Sequence, residues 1–105
     1  MKEMEHDQFD EFLSKGEKTL VLFYADWCLY CQKFKPFFES LQGNFSIIGA
    51  KVNEDENPLW DRFSISAIPT IIAFKGSNLV GRKDAKKGVG LNKEDLKSLI
   101  SEITW

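Results

Sequence analysis

The chain has 105 residues, a mass of 12.1 kDa and a net charge of −2, and this size predicts one domain spanning residues 1–105. Nine Phe, three Trp and two Tyr exclude a disordered chain, and only two Cys exclude a disulfide-rich scaffold. Because basic and acidic residues are nearly equal in number, the composition does not indicate nucleic-acid binding. The longest apolar run, residues 20–25, is too short to cross a membrane. No apolar leader occupies residues 1–10, so we expect a cytoplasmic protein, in which two cysteines are more often catalytic or metal-binding than structural.

The first half of the chain predicts a helix, a strand and a second helix. Asp7 is expected to cap the first helix, which ends before Gly16 and buries one apolar face. Residues 19–24 form a continuous apolar run that is typical of a strand buried on both sides. The next helix is predicted to end at Gly43. The apolar residues of these two helices are Phe9, Phe12 and Leu13 in the first, and Phe34, Phe37, Phe38 and Leu41 in the second.

The second half of the chain predicts a mixed sheet. Residues 45–52 read as a strand, and Pro58 is expected to open a short helix at its first position. Residues 70–74 and 79–82 read as a hairpin joined by a turn at 75–78. Asn92 is the expected N-cap of the last helix. The apolar stripe of this helix is Leu96, Leu99, Ile100 and Ile103. The element order predicts an α/β fold with four strands and helices on both faces, and the pattern allows a fifth edge strand near residues 2–6.

Charge is unevenly distributed near the hairpin. Residues 82–87 contain Arg82, Lys83, Lys86 and Lys87 with a single acid, Asp84, and so carry a charge of +3. We interpret this run as a solvated face, with a docking surface for a charged partner as the alternative.

Cys28 and Cys31 are the residues that carry chemistry. The Cys-x-x-Cys spacing can close a small disulfide ring, and it lies between a buried strand and the helix that follows. Cys28 falls at the helix N-terminus, where free N–H groups and the positive end of the dipole stabilise a thiolate, so it is the expected nucleophile. Cys31 sits one turn inside and would resolve the mixed disulfide. The alternatives are half of a zinc site shared between subunits, or two inert thiols.

The sequence resembles the thioredoxin family over nearly its whole length. The motifs that carry the resemblance are Phe23-Tyr24-Ala25-Asp26-Trp27-Cys28-x-x-Cys31, Pro36, Lys51-Val52-Asn53, Ile68-Pro69-Thr70, Phe74-Lys75-Gly76 and Val89-Gly90. The resemblance implies a thioredoxin fold, with the four strands in the order 2-1-3-4, and dithiol–disulfide exchange as the activity.

The same resemblance implies roles for the residues around the cysteines. Pro69 would be cis and would turn the backbone of Ile68 outward, where an extended client segment can pair with it. Trp27 would cover the cysteine pair with an apolar rim, and Gly90 would let a client backbone approach closely. Leu29 and Tyr30, which stand between the cysteines in place of the usual Gly-Pro, are expected to be exposed and to set partner choice.

One departure from the family pattern lies beneath the cysteines. Thioredoxins carry a buried Asp six residues before the first Cys, and this chain has Leu22 there, which leaves Lys51 without its usual acidic neighbour. We expect Lys51 either to extend outward or to lie near the cysteines, where its charge would favour a thiolate. Asp26 is read as a solvated loop carboxylate, with a substitute proton acceptor as the alternative.

The sequence therefore predicts a monomeric enzyme that reduces disulfides in client proteins through Cys28 and Cys31. It carries no flavin or nicotinamide motif, and we expect neither a cofactor nor a metal. The resemblance implies that a separate thioredoxin-reductase-like protein returns the electrons. Nucleic acid and membrane are not expected partners. Two alternatives remain open: a disulfide oxidant or isomerase, and a non-catalytic binding module that uses the surface around Trp27 and Pro69.

Overall fold

The structure, a computed structural model, describes residues 1–105. Its strands are β1 (Lys2–Glu3), β2 (Lys18–Tyr24), β3 (Ser46–Lys51), β4 (Thr70–Lys75) and β5 (Asn78–Asp84). Its α-helices are α1 (Phe9–Leu13), α2 (Leu29–Glu39), α3 (Leu59–Arg62) and α4 (Lys93–Glu102), and a 3-10 turn at His6–Gln8 leads into α1. None of the helices combines the length and the apolar character that a membrane span requires.

The five strands form one mixed sheet in the order β1-β3-β2-β4-β5. The central strand β2 pairs parallel with β3 and antiparallel with β4, and β4 continues antiparallel into β5. The predicted order of the four main strands is confirmed. The fifth strand also exists, but it is only two residues long and pairs parallel with β3 at the edge.

Side chains alternate across β2 and divide the core into two layers. Val21 and Phe23 point to one face, where they pack with residues of α1 and α3. Leu20 and Leu22 point to the other face, where they pack with residues of α2 and α4. Because both faces of the strand are covered, β2 is apolar from Leu20 to Tyr24, as the run of six apolar residues predicts. Helices on both faces are thus confirmed.

The entrance to α1 differs from the prediction. Asp7 is not an N-cap, because it lies within the 3-10 turn, and α1 begins two residues later at Phe9. The Glu5 N–H donates to Oε1 of Gln8 at 2.9 Å, so the polar contact at this entrance is made by Glu5 and Gln8. Pro58 is also displaced, since it precedes α3, whose first N–H, that of Leu59, donates to Oδ1 of Asn57 at 3.0 Å.

The exit of α2 also differs from the prediction. The helix ends at Glu39 rather than at Gly43, and its last turn tightens, with the Leu41 N–H donating to the carbonyl of Phe38 at 3.1 Å. Phe37 is 44% exposed, so the buried stripe of α2 is narrower than the periodicity predicts. The last helix ends at Glu102, and Ile103 packs against the core from just beyond it.

Candidate active site

Cys28 is the N-cap of α2, as the sequence predicts. Its backbone is extended, with φ −94° and ψ 111°, and its Sγ accepts a hydrogen bond from the N–H of Cys31 at 3.2 Å. Most N-caps use a side-chain oxygen for this bond, so here a sulfur satisfies one of the free N–H groups of the first turn. A negative charge on Sγ would be stabilised by this N–H and by the end of the helix dipole.

Cys31 lies one turn further along α2, on its buried side. The residue is 1% exposed, compared with 7% for Cys28. Burial raises the pKa of the Cys31 thiol well above its ordinary value, and the hydrogen bond with Cys28 raises it further. The two thiols are both free, but only Cys28 lines the surface groove described below.

The loop before β4 brings a backbone segment against Cys28. The Ile68–Pro69 peptide bond is cis, and the Cys28 thiol lies 3.7 Å from the carbonyl oxygen of Ile68. The loop is anchored on both sides, because the Thr70 hydroxyl donates to the Ala67 carbonyl and the Ala85 N–H donates to the Pro69 carbonyl. The N–H of Ile68 donates no hydrogen bond within the chain. It is therefore available to an extended segment laid beside Cys28.

Asn53, which follows β3, holds the loop that carries Trp27. The indole Nε1 of Trp27 donates to the carbonyl of Asn53 at 2.9 Å, and Oδ1 of Asn53 accepts the N–H of Asp26 at 2.8 Å. The Trp27 ring remains 61% exposed and lines the groove beside Cys28. The sequence alone assigns no role to Asn53. Its side-chain amide can both accept a hydrogen bond from a neighbouring loop and donate one to it.

Tyr30 connects α2 to the loop before α4. Its hydroxyl donates to the carbonyl of Gly88 at 2.7 Å, and its ring lies over Gly90 so closely that a Cβ on Gly90 would stand 2.8 Å from it. Gly90 also has φ +80°, and its N–H and carbonyl both bond to Lys86. The glycine at this position is thus explained by an internal contact, and a client backbone that reached Gly90 would have to displace Tyr30.

The Lys51 ammonium extends to the surface, where it pairs with Asp26. Its Nζ lies 3.3 Å from Oδ2 of Asp26, on the surface. The hydrogen bond from Asn53, together with the charge of Lys51, holds the pKa of Asp26 below its ordinary value. A carboxylate with a lowered pKa is a weaker base, which favours the interpretation of Asp26 as a surface carboxylate. Leu22 is fully buried in the core layer that contains Cys31.

A groove of about 440 Å³ opens beside Cys28 and gathers most of the predicted site residues. Its lining consists of Trp27, Cys28, Leu29, Tyr30, Trp60, Ser66, Ala67, Ile68, Lys86, Lys87 and Gly88. Pro69 and Gly90 are buried behind this surface, and Lys51 lies outside it. Trp60, Ser66 and Ala67 were not among the predicted site residues, because no local pattern brings them to Cys28; only the tertiary fold does.

Comparisons with known proteins identify the family. The family model described as Thioredoxin matches residues 1–102. A thioredoxin from Chlamydia caviae is 34% identical over 105 residues, covering 98% of this chain and 95% of the relative. A protein disulfide-isomerase A5 from Mus musculus is 39% identical over 79 residues, covering 66% of this chain but only 15% of that much longer protein.

Solved structures agree with the fold. Thioredoxin f2 from Chlamydomonas reinhardtii superposes with a TM-score of 0.83 at 21% identity, covering 96% of this chain and 94% of that one. A complex of ferredoxin:thioredoxin reductase and thioredoxin f2 contains a chain that matches with a TM-score of 0.82 at 21% identity, covering 95% and 91%. With the cysteine pair at the start of α2, the sequence match along the chain and this fold, the chain belongs to the thioredoxin family and is a protein thiol–disulfide oxidoreductase.

Proposed function

We propose that this protein reduces disulfides in client proteins, with Cys28 as the attacking thiol and Cys31 as the resolving thiol. The observation that carries the assignment is the asymmetry of the pair. The Cys28 sulfur accepts the N–H of Cys31 and faces the groove, whereas Cys31 is buried and its thiol has a raised pKa. Only the first sulfur can meet a client disulfide from outside.

The exchange transfers two electrons from the chain to the client. The Cys28 thiolate attacks one client sulfur, so that a Cys28–client disulfide forms while the client S–S bond breaks and its other sulfur leaves as a thiolate. Cys31 then attacks the Cys28 sulfur, and the Cys28–client bond breaks. The chain ends with a Cys28–Cys31 disulfide, and the two protons of its thiols end on the two client thiols.

The groove supports binding of an extended client strand during this exchange. The free N–H of Ile68 offers one backbone hydrogen bond next to the reacting sulfur. Trp27 and Leu29, which are 61% and 62% exposed, offer apolar surface on the same side. Such contacts would hold the client disulfide near Cys28 in an orientation suited to attack by its sulfur. Leu29 and Tyr30 then contribute to partner choice, because both line the groove.

A second protein must return the electrons, and we propose a thioredoxin-reductase-like donor. A thioredoxin f2 of this fold has been solved in complex with ferredoxin:thioredoxin reductase, which supports a donor of the reductase type. We further propose that residues 1–105 act as one monomeric domain in the cytoplasm, where a reducing environment keeps a redox pair in turnover.

Oxidation or isomerisation of disulfides is the second candidate function. Two observations favour it. Leu22 stands in the core layer of Cys31 where thioredoxins carry a buried Asp, and part of the chain resembles a protein disulfide-isomerase. The Chlamydia caviae relative, which the chain spans nearly end to end, is, however, a thioredoxin, and no His stands between the cysteines to stabilise the reduced form.

The reduction potential of the Cys28–Cys31 pair, measured against glutathione or dithiothreitol buffers, distinguishes the two candidates. Thioredoxins lie near roughly −270 mV, and isomerases and oxidants near roughly −180 to −120 mV. We expect a value at the low end, together with turnover of a protein disulfide when dithiothreitol supplies electrons. A value at the high end would replace reduction by oxidation or isomerisation.

A further inference from the structure

The cations of residues 82–87 fall into two groups in the structure. Arg82 is bound to Asp84 at 2.7 Å, and Lys83 lies 3.8 Å from a carboxylate oxygen of Glu102. Lys86 and Lys87 form no ion pair in the chain, although the protein has 16 acidic residues. These two free cations are the ones that line the groove beside Cys28.

The groove therefore has a charge opposite to that of the whole protein. No carboxylate is among its lining residues, and the net charge of the chain is −2. The nearest acid in sequence to Cys28 is Asp26, and its charge is offset by Lys51 at 3.3 Å. A concave surface with two unpaired cations and apolar walls concentrates the positive potential at its mouth.

Contacts from two directions hold the loop that carries these lysines. On one side, the Ala85 N–H donates to the carbonyl of Pro69 at 3.0 Å, next to the segment that faces Cys28. On the other, Tyr30 donates to the carbonyl of Gly88 at 2.7 Å. Within the loop, the carbonyl of Lys86 accepts the N–H groups of Val89 and Gly90, both at 2.9 Å. These bonds fix the backbone of the loop to the segment before β4 and to α2, so Lys86 and Lys87 are carried at the wall of the groove.

We infer that the groove selects client segments that carry acidic side chains close to the reactive cysteine. The inference rests on the proposed function, since it concerns the client that Cys28 attacks. An extended segment would place apolar side chains on Trp27 and Leu29 and a carboxylate toward Lys86 and Lys87. Attraction between the carboxylate and the lysines increases the association rate, and it weakens as the ionic strength rises. A basic side chain at the same position of the client would be repelled. Tyr30 is then a positioning residue, because its hydrogen bond holds the lysine loop.

Two synthetic peptides test the inference. Each contains one intramolecular disulfide and a Leu beside the first cysteine, and they differ only in two Glu or two Lys placed two and three residues from that cysteine. The measurement is kcat/KM for reduction, with dithiothreitol as the electron donor, at about 20 mM and about 300 mM ionic strength. We expect a preference of about tenfold for the Glu peptide at low salt, and most of it should vanish at high salt.

Charge-matched variants locate the preference. Lys86→Gln/Lys87→Gln should remove it, whereas Lys15→Gln/Lys75→Gln should retain it. Lys15 and Lys75 are exposed, form no ion pair and lie before β2 and at the end of β4, at the opposite end of the sheet from Cys28. Tyr30→Phe, which keeps the ring but removes the bond to Gly88, should lower the ratio of kcat/KM for the Glu peptide to kcat/KM for the Lys peptide.

The outcomes separate the two proposals. Equal reduction of both peptides by the unmodified protein would overturn the acidic preference and leave the reductase function intact. A preference lost equally in both lysine pairs would also overturn it, because overall charge rather than the groove would be responsible. Failure to reduce either peptide, or any protein disulfide, would instead contradict the proposed function.

Discussion

Two helices of this protein begin in the same way, and the difference between them explains where the chemistry lies. Cys28 at the start of α2 and Asn92 at the start of α4 are both extended N-caps whose side chains accept the N–H three residues later. The α4 cap is reciprocal, because Asp95 also accepts the N–H of Asn92 at 3.0 Å. The α2 cap is one-sided, because its third residue is the buried thiol of Cys31.

The two N-caps have different roles. In α4, every contact of the capping box stabilises the helix, and the cap side chain has no other partner. In α2, the position that usually holds an oxygen holds a sulfur that can attack a disulfide. The hydrogen bond that caps the helix is the same one that would stabilise a thiolate. The backbone geometry of an ordinary N-cap is therefore sufficient to position the nucleophile, and α2 differs only in having a sulfur as the capping atom.

The largest expected effect comes from Cys28→Ser, which keeps the cap but removes the nucleophilic sulfur. Turnover of a protein disulfide should decrease by at least about 1,000-fold, since a serine hydroxyl does not exchange with disulfides. The free energy of unfolding of the reduced protein should change by less than about 0.5 kcal/mol, because serine is a good N-cap. Steady-state turnover and urea denaturation measure the two quantities. Retained turnover would remove Cys28 from the mechanism.

Cys31→Ser should stop the reaction after the first exchange step. Without the second thiol the Cys28–client disulfide cannot be resolved, so the covalent adduct should accumulate and turnover should cease. Non-reducing electrophoresis followed by mass spectrometry detects the adduct, and Cys28→Ser is the matched control that should form none. An adduct that is released as quickly as in the unmodified protein would show that another group resolves it.

Asn92→Ala tests the other cap and should affect stability alone. Loss of the bond to the Asp95 N–H should lower the free energy of unfolding by about 1 kcal/mol. Turnover should remain unchanged, because α4 contributes no residue to the groove. Asn92→Ser keeps an acceptor at the same position and should restore most of the lost stability in urea denaturation. A loss of activity in Asn92→Ala without a loss of stability would contradict the division of roles.

The smallest effect is a dependence of stability on alkaline pH. Burial raises the pKa of Cys31 in the folded protein, so the thiol stays protonated there while it ionises in the unfolded chain above about pH 8.5. The stabilising contribution is complete below that pH and is lost as the pH rises. Between pH 8 and 9 the reduced protein should lose about 0.5 kcal/mol more than Cys31→Ser. Parallel curves for the two proteins would show that the Cys31 thiol is not held protonated by the fold.

The sequence predicts the helix cap and the sheet because both depend on local signals. Cys28 follows a strand that is apolar on both faces and precedes a helical period, so its place at the start of α2 can be read from the spacing. Asn92 is found equally well from its capping pattern. Asp7 is a residue type favoured at N-caps, but it lies within the 3-10 turn, one position before Gln8, the N-cap of α1.

Contacts between distant loops could not be predicted in the same way. The pairing of Lys51 with Asp26 joins the ends of two parallel strands, and the sequence pattern gives no geometry for side chains at those ends. The bond from Tyr30 to Gly88 spans 58 positions. The family resemblance implies that Gly90 contacts the client, and the ring of Tyr30 gives a separate, internal reason for a glycine at this position.

Limited alkylation of the reduced protein tests the asymmetry of the cysteine pair most directly. The protein is treated at about pH 7 with less than one equivalent of iodoacetamide, and peptide mapping by mass spectrometry measures the fraction of each cysteine that is modified. Modification of Cys28 should exceed that of Cys31 by at least about tenfold, because only Cys28 combines access with a hydrogen bond that stabilises the thiolate. Equal modification, or a faster reaction at Cys31, would contradict the assignment of Cys28 as the nucleophile.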